Sequence, residues 1–165
     1  MKLSSKDVVL VALAAVIISV IVLFGFPANG DNEGEVTTDI TIDFIDGAPS
    51  LNPGNLTTWT FIDGEWNVTS VDNGGHTVWV FKGISSGPNC YLQLMAAAEV
   101  GGFIVGEESQ PLGTLITSIA GVENEIPGAG WQYYVNGVYA NRACNFVDIK
   151  DGDEVVWKFQ KNQMD

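Results

Sequence analysis

The residues able to do chemistry in this 165-residue chain are few and mostly of one sign. Twenty Asp and Glu stand against seven Lys and Arg, with one His and two Cys. Ser–His nucleophilic catalysis would have to run through His76, which follows Asn73-Gly74-Gly75 and reads better as a solvated turn residue. Carboxylate-pair hydrolysis needs two acids at a set separation. The adjacent Glu107 and Glu108 would point to opposite faces of a strand. HExxH, CxxC and P-loop patterns are absent. Asp148, Asp151 and Asp153 lack the ligand spacing of a calcium loop, and Asp151-Gly152-Asp153 is more simply a turn. The expectation is a non-enzyme with no catalytic residue, no metal site and no required cofactor.

Binding chemistry has one better candidate. Trp131, Gln132, Tyr134, Asn136, Tyr139 and Asn141 gather aromatic rings and amides around a single hairpin signal, Asn136-Gly137. Aromatic rings offer large contact area at low rotamer cost, and their polar tips hydrogen-bond. Strand alternation divides the set. Trp131, Tyr133 and Val135 share one face, and Gln132, Tyr134 and Asn136 share the other. One of these faces must enter the core, so at most half of the aromatics can meet a ligand. The competing reading makes Trp131 and Tyr133 core residues and Asn136-Gly137 plain turn chemistry.

Charge and hydropathy place the chain. A net charge of −13 repels polyanions, so nucleic acid is not an expected partner. Only 16% of residues are charged while 46% are hydrophobic, so the chain is not a disordered acidic one. Val8 to Phe24 is an uninterrupted apolar or small run apart from Ser19, and it extends through Gly25 and Phe26. As a helix, residues 8–26 would span roughly 28 Å, close to a hydrocarbon core. Lys2 and Lys6 precede the run, and Asp31, Glu33 and Glu35 follow it, which orients the rest of the chain outside the cytoplasm. Two readings compete: a retained anchor and a cleaved signal peptide. The run is long for a signal, and cleavage after Ala28 would put Phe26 at −3, so the anchor is favoured; cleavage after Gly30 would make the protein secreted. The expected division is a cytoplasmic 1–7, an anchor or uncleaved signal at 8–26, a linker at 27–35 and an extracytoplasmic domain at 36–161. Export is consistent with N-glycosylation sequons at Asn55 and Asn67. It also favours a disulfide between Cys90 and Cys144 over two free thiols.

Several elements must position the hairpin. Val36, Thr38, Ile40, Ile42 and Phe44 alternate with polar residues as a half-buried strand. Leu56–Ile62, Trp66–Val71 and Thr77–Phe81 read as further strands, separated by Asp63-Gly64 and Asn73-Gly74-Gly75. One helix starts near Pro88, presents Tyr91, Leu94, Met95 and Ala98 on one face, and stops at Gly101-Gly102. Strands resume at Thr114–Ile119, Trp131–Val135 and Val138–Ala140, and the last is built on Val155, Trp157 and Phe159. The fold class is α+β, a sheet with one packed helix.

The sequence Thr117-Ser118-Ile119-Ala120-Gly121-Val122, then Gly130-Trp131-Gln132-Tyr133-Tyr134-Val135-Asn136-Gly137, resembles the DUF4430 family. Ala140-Asn141 and Asp151-Gly152-Asp153-Glu154-Val155-Val156-Trp157 continue the resemblance in order. It extends over about residues 36–160 and is strongest over 114–160. The family is related to the C-terminal β-domain of the cobalamin carriers transcobalamin and intrinsic factor. The resemblance implies a β-grasp-like mixed sheet with one packed helix, often exported and tethered. It also implies cobalamin as a ligand to consider, although the helical domain that holds the other face of the corrinoid in those carriers has no room in this chain. The Cys pair departs from the family pattern; a Cys90–Cys144 bridge would close a loop of about 54 residues, stabilising by roughly 3–4 kcal/mol. The expected function is a non-catalytic, membrane-anchored extracytoplasmic binding module. The alternative is a structural or adhesive cell-surface protein, or an envelope-complex subunit, with a protein partner and no small ligand.

Overall fold

The computed structural model describes residues 34–45, 47–125 and 127–161. The expected membrane segment at 8–26 lies outside the described residues. Among those described, no helix is long and apolar enough to cross a membrane. Gly34–Asp165 falls into one compact unit.

Among the described residues, ten strands and one α-helix follow in chain order: β1 (Val36–Asp43), β2 (Asn55–Ile62), β3 (Glu65–Asp72), β4 (Val78–Ser86), α1 (Cys90–Gly101), β5 (Val105–Gln110), β6 (Gly113–Ile119), β7 (Val122–Glu123), β8 (Ala129–Val135), β9 (Val138–Tyr139) and β10 (Glu154–Lys161). The main sheet has seven strands in the order β3-β2-β4-β1-β10-β8-β9, and β5-β6-β7 form a second, smaller sheet. The main sheet is mixed: β1 runs parallel to β10, β2 parallel to β4, and the remaining neighbours are antiparallel. The fold is thus α+β and mostly sheet, as the sequence implies.

The period-two pattern decides which face is inside. Ile40 and Ile42 of β1 register with Val155 and Trp157 of β10, and Trp157 with Tyr133 of β8, so these side chains share one face. All five are buried. Trp79 and Phe81 of β4 and Trp59 of β2 continue that face. Aromatic edges lock it: Phe44 meets Trp79 at 4.7 Å and Trp131 at 5.3 Å, and Tyr133 stacks on Trp157 at 4.8 Å. Leu94 and Ala97 of α1, with Ile116 and Ile119 of β6, close over the same core. Truncating a fully buried tryptophan such as Trp157 would cost about 3–5 kcal/mol.

Helix α1 begins where Asn89 caps it, its side-chain oxygen accepting from the Leu92 amide at 2.9 Å. It ends where Gly102 takes a left-handed conformation and the Phe103 amide reaches back to the Ala98 carbonyl. Its buried face differs from the expected one. Cys90, Gln93, Leu94, Ala97 and Ala98 point inward, while Tyr91 and Met95 sit half-buried on the flank. Gln93 rotates the face. Its amide donates to Thr38 Oγ1 and to the Asp39 carbonyl, so a polar side chain is buried with its donors satisfied. The Asp39 carbonyl lies at a bulge, where Lys82 and Gly83 of β4 oppose one residue of β1, and Gly83 adopts φ +78.

The predicted strand positions hold to within a few residues. Strands β5 and β7 have no counterpart in the sequence reading. Val105-Gly106-Glu107-Glu108-Ser109-Gln110 shows no apolar alternation, because pairing with β6 leaves most of β5 exposed. The expected disulfide is not formed: Cys90 and Cys144 are free and buried. Burial pushes the Cys90 thiol up to about 12 and Cys144 to about 11, which suppresses the thiolate that exchange requires. Cys144 instead directs its sulfur at the Thr114 carbonyl, 3.7 Å away.

Candidate binding cleft

The hairpin β8–β9 turns through Asn136 and Gly137 with φ of +50° and +77°, the conformation a two-residue type I′ turn requires. Asn136 does more than turn the chain. Its Nδ2 donates to Asp153 Oδ1 at 2.8 Å, and its Oδ1 accepts from the Glu154 amide at 3.0 Å. Asp153 Oδ2 also accepts from the Lys150 amide at 2.9 Å. The Asn136 bond above all, then the Lys150 amide, holds the Asp153 carboxyl below its ordinary range. This network ties the hairpin tip to the turn before β10.

After β9 the chain folds back under the hairpin. The Ala140 amide donates to the Tyr133 carbonyl at 3.0 Å, and the Tyr133 hydroxyl donates to the Arg142 carbonyl at 2.8 Å. Burial raises the Tyr133 phenol well above its ordinary value, which keeps it a donor. A single 3₁₀ turn, Cys144–Phe146, follows. The Cys90 amide then donates to the Val147 carbonyl, and the Ile149 amide to the Pro88 carbonyl, fastening this segment to the start of α1.

A cleft of about 350 Å³ opens between the hairpin and this segment. Val135, Val138, Tyr139, Ala140 and Val147 line it with Phe146, and Asn141, Arg142 and Asp148 add an amide, a cation and a carboxylate. Val138, Tyr139 and Phe146 are 70%, 44% and 50% exposed, an unusual concentration of apolar surface for two short segments. A second, shallower groove of about 520 Å³ runs along the flank of α1 past Leu92, Met95 and Phe103.

Of the six candidates named from sequence, Tyr139 and Asn141 line the cleft. Trp131 does not: its ring is core, and its Nε1 donates to the Val122 carbonyl at 2.8 Å. Gln132 is buried too, donating to the Lys161 carbonyl and accepting from Gln160. Tyr134 lies on the outer sheet face, edge-on to Tyr139 at 5.6 Å, with Lys158 Nζ 5.2 Å from its ring centre and Gln160 donating to its hydroxyl. Asn136 holds the turn. Arg142 and Phe146 escaped the sequence reading, and Asp148 was weighed there only as a calcium ligand, since a loop carries no periodicity; the Ala140-Asn141 match beside them was the available signal.

The other named residues lie elsewhere. Asn55 is half-buried at the start of β2, and Asn67 is exposed in β3. His76 is exposed and bonds Asp43 at 2.6 Å. Among the described residues, no three of His, Cys, Asp or Glu converge as metal ligands.

Residues 94–161 match the family model DUF4430, a domain of unknown function. The match spans α1 to β10, so β1–β4 lie outside it, a narrower extent than the sequence resemblance implied. No curated protein matches this chain. Among solved structures it is similar to a provisionally assigned metal-binding protein from Ruminococcus gnavus, at 16% identity and a TM-score of 0.38, covering 66% of this chain and 97% of that one. It is also similar to haptocorrin in complex with Cbi, at 14% identity and a TM-score of 0.45. That alignment covers 82% of this chain and 27% of haptocorrin, so this chain spans about a quarter of the haptocorrin chain.

Proposed function

We propose that this protein is a non-catalytic, membrane-anchored extracytoplasmic binding module. Its cleft takes a small molecule with a flat apolar face and polar edges. The observation that carries the reading is the cluster of exposed Val138, Tyr139 and Phe146 around a concavity that also presents Asn141 and Arg142. Rings supply contact area, and the amide and guanidinium fix orientation. The ligand that the family resemblance implies is a cobalamin-like corrinoid. Support for the β-grasp assignment is the parallel pairing of the first and last strands, β1 and β10, beneath α1. Support for the anchor and for an outside domain is the run Val8–Phe24 with lysines before it and acids after it.

Titration calorimetry of the full chain in mild detergent, with cobalamin and cobinamide, tests the reading. Saturable heat with Kd at or below about 10 µM, roughly −7 kcal/mol, is expected. Phe146→Ala should weaken it at least about tenfold, as loss of a ring at the site does. No heat at millimolar corrinoid would retire the corrinoid reading. The second reading, a surface module for a protein partner, is favoured by a different feature, the outer edge of β3.

A further inference from the structure

Among the described residues the two sheets end in four edge strands, β3 and β9 in the main sheet and β5 and β7 in the small one. Free edges invite pairing with other chains, and proteins blunt them with shortness, bulges, charges or proline. Three of the four are blunted. β7 and β9 are two residues long, while β5 carries Glu107 and Glu108 beside a bulge at Gly106. β3 carries charge only at its two ends, Glu65 and Asp72, and has none of the other devices. It pairs with β2 without interruption from Glu65–Ile62 to Asp72–Asn55, and holds no Pro, Gly or Lys. Its interior, Trp66 to Val71, is uncharged.

The side chains around this edge are also poised for contact. Register puts Phe61, Trp66 and Val68 on the core side of the sheet. Phe61 and Trp66 lie 5.1 Å apart, and Val68 is 55% exposed. The acids sit at the ends: Asp63 and Glu65 at one, Asp72 at the other.

We propose that the edge of β3 docks an extended segment of another protein, apolar in its centre and basic at both ends, which adds antiparallel as an eighth strand. Main-chain bonds to the unpaired edge supply affinity. Charge complementarity at Glu65 and Asp72 sets register. A second copy of this chain is the wrong occupant. Two-fold pairing in this register would set Glu65 of each copy against Asp72 of the other, between chains of net charge −13. The proposal stands apart from the cleft and survives its failure.

The probe is the peptide Lys-Thr-Val-Thr-Val-Thr-Val-Lys. With its lysines opposite Asp72 and Glu65, its valines fall on the face of Trp66, Val68 and Ser70. Amide NMR of the full chain in mild detergent should show saturable shifts in β3 and slowed exchange of its outward amides. Replacing both peptide lysines by glutamates should weaken binding about tenfold. Val68→Lys, at an exposed position, should do likewise, and Glu65→Lys should narrow the preference for the basic peptide. Near-UV circular dichroism of the buried tryptophans verifies folding of each variant. Shifts confined to other strands, indifference to Val68→Lys, or a concentration-dependent dimer that occupies β3 would each overturn the proposal.

Discussion

Gly113→Ala should loosen the cleft beneath the β8–β9 hairpin from a distance. Gly113 opens β6 at φ +111°, a region that side chains other than glycine's rarely adopt, and the strain costs about 1–3 kcal/mol. Space is closed as well. A Cβ there would overlap Ala143 Cβ and lie 2.7 Å from Asn145 Oδ1 and 2.8 Å from a Phe146 ring carbon. These neighbours form the 3₁₀ turn under the cleft, which Asn145 ties to β6 by accepting from the Thr114 amide at 2.8 Å. Relief requires the turn to move, weakening that bond, worth about 1 kcal/mol. The total loss should be about 2–4 kcal/mol. Urea unfolding followed by tryptophan fluorescence reads it as a lowered midpoint at unchanged slope. Asn145→Ala removes only the tether and should cost about 1 kcal/mol. The two changes should be less than additive, because both release the same turn. A loss below about 0.5 kcal/mol for Gly113→Ala would refute the argument that this glycine sets the floor of the cleft.

Asn136→Ala removes both side-chain bonds to the turn before β10 and leaves alanine at positive φ, for a loss of about 1–3 kcal/mol. It should also flatten the acid limb of stability. The lowered carboxyl of Asp153 contributes stability above its unfolded pKa near 4, lost as pH falls through the lower folded value; unfolding from pH 2 to 6 compares the two proteins. On the alkaline side the sign reverses. Cys90 and Cys144 are raised to about 12 and 11, so their stabilisation is whole below pH 9 and declines as the unfolded thiols ionise, by about 1.4 kcal/mol per pH unit for each. Both thiols should resist a thiol reagent at pH 8 in the native state and react in urea; prompt native labelling would contradict their burial.

Local pattern was enough to place most of the elements. Alternation in β1 and β10, the Asp63-Gly64 and Asn136-Gly137 turns, and the glycine stop of α1 are short-range consequences of pleat, positive φ and capping, so the residues themselves declare them. The division of β8 into a core face and an outer face followed from the same parity, but which face was core did not. Register with Trp157 and Phe159 made Tyr133 and Trp131 interior, and with it removed Trp131 from the candidate site. Burial of Gln93 required acceptors on β1, Thr38 and Asp39, opposite a bulge in β4 and fifty-odd residues earlier in the chain, which no helical window contains. The cleft is likewise a tertiary object: Tyr139 was visible as a hairpin aromatic, whereas Phe146, Arg142 and Asp148 became lining only when backbone bonds from Cys90 and to Pro88 drew their segment beneath β9. Periodicity reports how a residue stands relative to its neighbours in the chain; which residues from distant segments share a surface depends on the packing that unites those segments.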